Sequence, residues 1–240
     1  MLAPRFNGDA SARFARHIVE FQQTGITIIP TDPEAAAHWR ESEVFDRSFG
    51  NRHSAWDWSG PTILTQAPHI RTGVPSPGLV EALRDLMSGQ DFETFFRGVA
   101  GCPMTVINCR LVKSLPHSGG GDGPQSWHHD GCPPGVIRGV LYLTDVDEQS
   151  GPFQYVDEAG TEHTVLGKPG DLLVFDAMRL RHRARPPERK IRTAIDFVFM
   201  PRLPGQEMQI NVAGMNHWPA DPFYYRLPVD HGGDQGRDRT

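Results

Sequence analysis

Six short runs of β-forming residues crowd the second half of this chain: "MTVINCRLV", "VIRGVLYLTDV", "PFQYV", "HTVL", "DLLVF" and "TAIDFVFM". Gly, Pro and acidic residues punctuate them. Short strands separated by turns predict a sandwich or barrel. The first half reads differently. Phe14, Ile18, Val19 and Phe21 recur near helical spacing over residues 11–23, and Gly25 suits the stop. "ITIIP" reads as a strand closed by Pro30. "TDPE" opens a second helix, with Thr31 as the expected cap and Pro33 in the first turn. Ser76, Pro77, the stripe Leu79, Leu83, Leu86 and the stop Gly89 outline a third, and "DFETFFRGVA" a fourth. Residues 46–75 carry no period and are expected to be irregular. Trp56 and Trp58 lie there, either packing the loop down or forming a lid or pocket wall.

The expected fold is therefore mainly β with flanking helices. A single domain spans 1–240, in which a helical segment over residues 1–100 packs on a β core over 101–202, with a polar, disordered tail at 230–240. At 240 residues and 38% hydrophobic content the chain can bury a sizeable core.

Composition removes several functions. The net charge of −5 gives no global attraction to nucleic acid. No apolar run approaches the roughly 20 residues that cross a bilayer, and the N-terminus lacks the apolar core of a signal peptide. Cys102, Cys109 and Cys132 are odd in number and form no CxxC pair, so neither a disulfide framework nor a zinc knuckle is indicated. A reducing cytoplasm is the expected location. Lys and Arg cluster in "RLRHRARPPERKIR", residues 179–192, which suits a solvated face, a phosphate site or an active-site wall.

Chemistry concentrates in "QSWHHDG", residues 125–131. In an extended segment side chains alternate, so His128 and Asp130 share a face and His129 points away. One imidazole and one carboxylate two residues apart can grip a divalent ion, but a stable site needs a further ligand. Downstream, His163 and His182 are available, the latter fifty-two residues past Asp130. Arg192 stands ten residues beyond His182, at the start of a strand.

This order of His-x-Asp, a distant His and then an Arg resembles the Fe(II)/2-oxoglutarate-dependent oxygenases. "LYLTDVDEQSGPFQYV", "GDLLVFDAMRLRH" and "FQQTGITIIP" are similar to the phytanoyl-CoA hydroxylase branch, and the likeness runs over roughly residues 15–200. It implies a double-stranded β-helix, that is, a cupin-like jelly-roll, with helices outside. It also implies a metal triad of His128, Asp130 and His182, which suits Fe(II) and leaves open coordination positions. Arg192 would hold the distal carboxylate of the cosubstrate 2-oxoglutarate through paired hydrogen bonds, with Arg189 and Lys190 as competitors. Lys113 and Tyr142, on strands lining the barrel, would touch cosubstrate or substrate. Trp56, Trp58 and Arg138 are the candidate substrate contacts.

The resemblance implies oxidation, by hydroxylation above all, of a C–H bond in a small-molecule metabolite of natural-product type. Asp130 stands where halogenating relatives carry a small residue. "VDEAGTEH" departs from the family's Pro-Gly-Ser-His turn, so substrate identity does not transfer. The alternatives are a cupin-like metal-dependent isomerase or lyase, for which Arg192 has no task, and a non-catalytic ligand-binding barrel.

Overall fold

The computed structural model describes residues 10–45, 47–52, 64–119, 123–130, 132, 135–202 and 205–210. Trp56, Trp58 and the tail 230–240 lie outside them. Four helices, α1 (Ala10–Thr24), α2 (Pro33–Ser42), α3 (Pro77–Ser88) and α4 (Gln90–Ala100), accompany ten strands. The strands are β1 (Ile26–Pro30), β2 (Arg47–Arg52), β3 (Leu64–Gly73), β4 (Met104–Ser114), β5 (Ile137–Tyr142), β6 (Phe153–Val156), β7 (Glu162–Val165), β8 (Asp171–Phe175), β9 (Arg181–Ala184) and β10 (Arg192–Pro201).

They form two antiparallel sheets. One has seven strands in the order β1-β8-β5-β10-β4-β3-β2, the other three in the order β7-β6-β9. From β5 onward the chain passes repeatedly between the sheets, so neighbours in space are distant in sequence. This is a mainly antiparallel architecture of jelly-roll or cupin type.

Strand parity divides the large sheet into two faces. Ile195 and Phe197 of β10 lie opposite Leu111 and Cys109 of β4, and Ile195 opposite Leu141 of β5. These residues join Phe14, Leu83, Met87, Phe92, Phe95 and Phe96 of the helices in the main core. Phe14 and Phe21 of the α1 reading and Leu79, Leu83 and Leu86 of the α3 reading thus join the core on one face of the sheet, while Val19 is exposed. On the other face Ala194 and Asp196 alternate with them, opposite Val112 and Arg110 of β4 and opposite Tyr142 and Val140 of β5. Polar and charged side chains therefore enter the space between the sheets.

Three local readings change. Asp32, not Thr31, caps α2: its carboxylate accepts from the amides of Glu34 and Ala35, while the Thr31 hydroxyl donates to the Gly170 carbonyl. Residues 46–75, expected to be irregular, include β2 and β3, which extend the large sheet beyond β4. Their register jumps where Ser48 pairs with Arg71 and Phe49 with Ala67, passing over Pro68, which has no amide to give to a ladder. That interruption hides the period. The basic run contains β9, a strand by virtue of its pairing with β6 rather than of any alternation of its own.

Phe96 is buried and its ring lies 4.8 Å from that of Phe199 and 5.4 Å from that of Phe95. Phe96→Ala should lower the unfolding free energy by about 3–5 kcal/mol, read from the denaturation midpoint at unchanged slope.

Candidate metal centre

His128 and His182 meet through the backbone. The His128 amide donates to the His182 carbonyl at 3.0 Å, and the His182 amide returns the bond at 2.8 Å. The Asp130 amide donates to the Ala177 carbonyl at 3.1 Å. The segment 128–130 is thus held as an extra rung beside β9, and the alternation expected from its sequence is kept. His129 is exposed, its Nδ1 on the Met178 carbonyl at 3.1 Å.

The ligand atoms of His128, Asp130 and His182 lie within 4.8 Å of one another. Asp130 Oδ1 is 3.3 Å from His128 Nε2 and 3.9 Å from His182 Nε2. Each imidazole uses its other nitrogen on a main-chain carbonyl: His128 Nδ1 on Ser126 at 2.7 Å, His182 Nδ1 on Leu180 at 2.9 Å. A carbonyl can only accept, so Nδ1 carries a proton in each ring, and Nε2 faces Asp130 as a lone pair when the ring is neutral and as a second N–H when it is protonated. Phe153 stacks on the His182 ring at 5.5 Å and Phe175 meets it edge-on at 4.9 Å, fixing its plane.

Electrostatics suit a cation. Burial pushes the His182 pKa down to about 4, so this ring is neutral at pH 7. Burial also works against protonating His128, yet its hydrogen bond to Asp130 prevails and raises its pKa. Burial opposes the ionised form of Asp130, but the charge of Arg138 and the two imidazoles outweigh it and hold the carboxyl well below the usual range. The cluster therefore keeps a carboxylate and draws a proton to His128, in the place a bound cation would take. Two imidazole nitrogens and one carboxylate oxygen fit a non-heme ferrous ion.

Arg192 is 7% exposed. Its guanidinium donates to the Gly151 carbonyl and to Ser114 Oγ, and no carboxylate pairs with it among the described residues. Gly151 has φ +74°, and a Cβ there would meet the Arg185 carbonyl at 2.2 Å, so only glycine brings that carbonyl to the guanidinium. Ala194, next on this face, lies opposite Tyr142. The Tyr142 hydroxyl is buried, with the Phe153 backbone beside it, and burial raises its pKa to about 12. A buried cation with no carboxylate partner among the described residues, near that hydroxyl, fits an anionic ligand. Of the competitors, Arg189 is exposed and Lys190 pairs with Asp147.

Two of the expected contacts have other placements. Lys113 lies opposite Thr193, on the sheet face away from Arg192, with its ammonium 4.9 Å from the centre of the Phe45 ring. Arg138, expected as a substrate contact, donates instead to Asp130 Oδ2 at 2.8 Å and to both oxygens of Asp196, which also accepts from Arg110 Nε at 2.6 Å. The sequence reading missed Asp196 and Arg110. Their signal was a charge set within an apolar run of each strand, between Cys109 and Leu111 and between Ile195 and Phe197. His163, the other third-ligand candidate, is taken up by Asp157 at 2.7 Å.

No protein-family model and no curated protein matches the chain. Solved structures do. SnoN, a non-heme α-ketoglutarate-dependent epimerase from nogalamycin biosynthesis, superposes with a TM-score of 0.53 at 13% identity, over 85% of this chain and 98% of its own. HygX from Streptomyces hygroscopicus, with nickel and 2-oxoglutarate bound, gives 0.53 at 16% identity, over 78% and 87%. AviO1 from Streptomyces viridochromogenes Tue57 gives 0.55 at 17% identity, over 80% and 95%. The fold is shared with 2-oxoglutarate-dependent enzymes.

His128→Ala or His182→Ala should weaken divalent-metal binding by more than the roughly 10–100-fold that loss of an outer partner costs. His129→Ala should leave it near wild type. Equilibrium titration with Co(II) checks all three.

Proposed function

We propose that this chain is an Fe(II)- and 2-oxoglutarate-dependent oxygenase that hydroxylates a C–H bond of a small-molecule metabolite. The observation that carries the reading is Arg192, a buried guanidinium without a carboxylate partner among the described residues, on the sheet face that carries Tyr142 and the support of Asp130. We place the barrel among double-stranded β-helices. The strand order β4-β10-β5-β8 within the large sheet supports this, as does the order β9-β6-β7 flanked by the His128 rung. The quoted motifs favour the phytanoyl-CoA hydroxylase-like branch.

His128, Asp130 and His182 would hold the ion. With iron and 2-oxoglutarate bound, the centre would reduce O2 at the expense of the keto acid, which leaves as succinate and CO2, and oxidise the substrate C–H bond. The chain's own contribution is orientation, charge and shelter. Asp130 offsets some of the ionic charge. The Nδ1 hydrogen bonds keep both imidazoles in the ligating tautomer. Arg192, steadied by Gly151 and Ser114, supplies a planar pair of donors to the distal carboxylate, and the Tyr142 hydroxyl can add a third. Val140, Tyr155, Phe153 and Phe175 belong to an apolar cluster that keeps water from this space.

Structural neighbours support a natural-product-like substrate: SnoN is known in complex with Fe3+, α-ketoglutarate and nogalamycin RO, and HygX with nickel, 2-oxoglutarate and hygromycin B. SnoN is an epimerase and SnoK, at 13% identity and TM-score 0.53, a carbocyclase. Stereochemical inversion or ring closure is therefore the second reading, and product mass separates it from hydroxylation. A Lewis-acid isomerase or lyase would leave Arg192 without a task. Among the described residues no helix is long and apolar enough to cross a membrane, and we assign the protein to the cytoplasm.

Loss of a partly buried, charge-assisted pair costs about 2–5 kcal/mol, or roughly 30-fold to several thousand-fold in affinity. Arg192→Ala should weaken 2-oxoglutarate binding by that factor and leave Fe(II) affinity nearly unchanged, whereas Arg189→Ala and Lys190→Ala should do little. Anaerobic titration followed by the iron charge-transfer absorption measures it. Undiminished 2-oxoglutarate affinity in Arg192→Ala would reject the assignment.

A further inference from the structure

Behind the triad runs a chain of alternating charges, Arg110–Asp196–Arg138–Asp130, contributed by β4, β10, β5 and the 128–130 segment. All four side chains are largely buried, between 11 and 16% exposed. Arg110 lies directly opposite Asp196 across the β10–β4 ladder. Arg138 lies opposite Val198, diagonal to Asp196 on the same face. Its Nη2 reaches both oxygens of Asp196, at 2.9 and 3.1 Å, while its Nη1 reaches one oxygen of Asp130, Oδ2, at 2.8 Å. The other oxygen, Oδ1, faces the Nε2 atoms of both histidines.

We infer that Arg138 is a positioning residue that sets how Asp130 can ligate: it occupies Oδ2 and leaves Oδ1 as the single oxygen offered to the ion. The inference rests on the iron reading of the triad. A free carboxylate can bind a metal through one oxygen or two. With both oxygens available, Asp130 would fill a coordination position that the two-histidine, one-carboxylate arrangement otherwise keeps open for a chelating keto acid. The guanidinium suits this task because its planar fork serves two carboxylates at once, and Asp196, steadied from behind by Arg110, keeps that fork from swinging away. Lysine has a point charge and no such fork.

Its effect should appear in ligation before any turnover. Arg138→Lys and the isosteric Asp196→Asn are compared with wild type by thermal unfolding, by Co(II) titration with the visible d–d spectrum, and by 2-oxoglutarate titration of the Co(II) form. Both variants should bind Co(II) about 10–100-fold more weakly than wild type, the cost of losing an outer partner, and, once saturated with Co(II), show an altered d–d spectrum and a weakened affinity for 2-oxoglutarate. Arg192→Ala is the control: it weakens 2-oxoglutarate binding but keeps the wild-type Co(II) spectrum in the absence of keto acid. An unchanged spectrum and unchanged 2-oxoglutarate affinity in a folded Arg138→Lys overturns the proposal. So does loss of the fold in both variants, which makes the network a stability element. Failure of the wild-type protein to bind Co(II) would instead remove the iron reading itself.

Discussion

Two reciprocal backbone hydrogen bonds between His128 and His182 close the site on which everything else depends. They join segments that are far apart in sequence, and they do so without calling on either side chain. The side chains are then free to be aimed. Each ring is turned by a main-chain carbonyl two residues before it, and Asp130 is turned by Arg138. Three ligand atoms converge because the barrel returns the chain to the same place, not because they are neighbours in sequence.

The space between the sheets holds several buried cations, and they divide into two kinds. Arg110 and Arg138 are matched by Asp196 and Asp130, so their desolvation is offset locally. Arg192 has a carbonyl and a hydroxyl but no carboxylate among the described residues, and burial works to lower its pKa. Its positive charge is left for something else to balance. In the proposed function the matched pairs hold the candidate ligand Asp130, and Arg192 takes the distal carboxylate of 2-oxoglutarate. The two jobs fall on one sheet face because β10 carries Arg192 and Asp196 at even spacing.

The clustering of His128, Asp130 and His182 was legible in sequence where it is governed by local period. His-x-Asp needs only alternation, and the start of β10 at Arg192 needs only the strand pattern. The helices α1, α3 and α4 were likewise announced, and the α3 stripe of Leu79, Leu83 and Leu86 is buried, whereas Val19 of the α1 reading is exposed. What failed was non-local. β4 carries charge on both faces, Arg110 on one and Lys113 on the other, so which of them shares a face with Arg192 is decided by the register against β10, which no window of sequence contains. β9 is a strand because β6 lies beside it. The partners of Arg138, expected as a substrate contact, were not legible because they lie on another strand and in a loop. The tryptophans 56 and 58 fall outside the described residues.

The central claim is that this pocket spends 2-oxoglutarate to activate oxygen. The most direct measurement is a single turnover: protein loaded anaerobically with Fe(II) and 2-oxoglutarate is exposed to 18O2, and the succinate formed is weighed by mass spectrometry. The account predicts succinate carrying one 18O atom, formed only when iron is present. Recovery of 2-oxoglutarate unchanged from iron-loaded protein would contradict it.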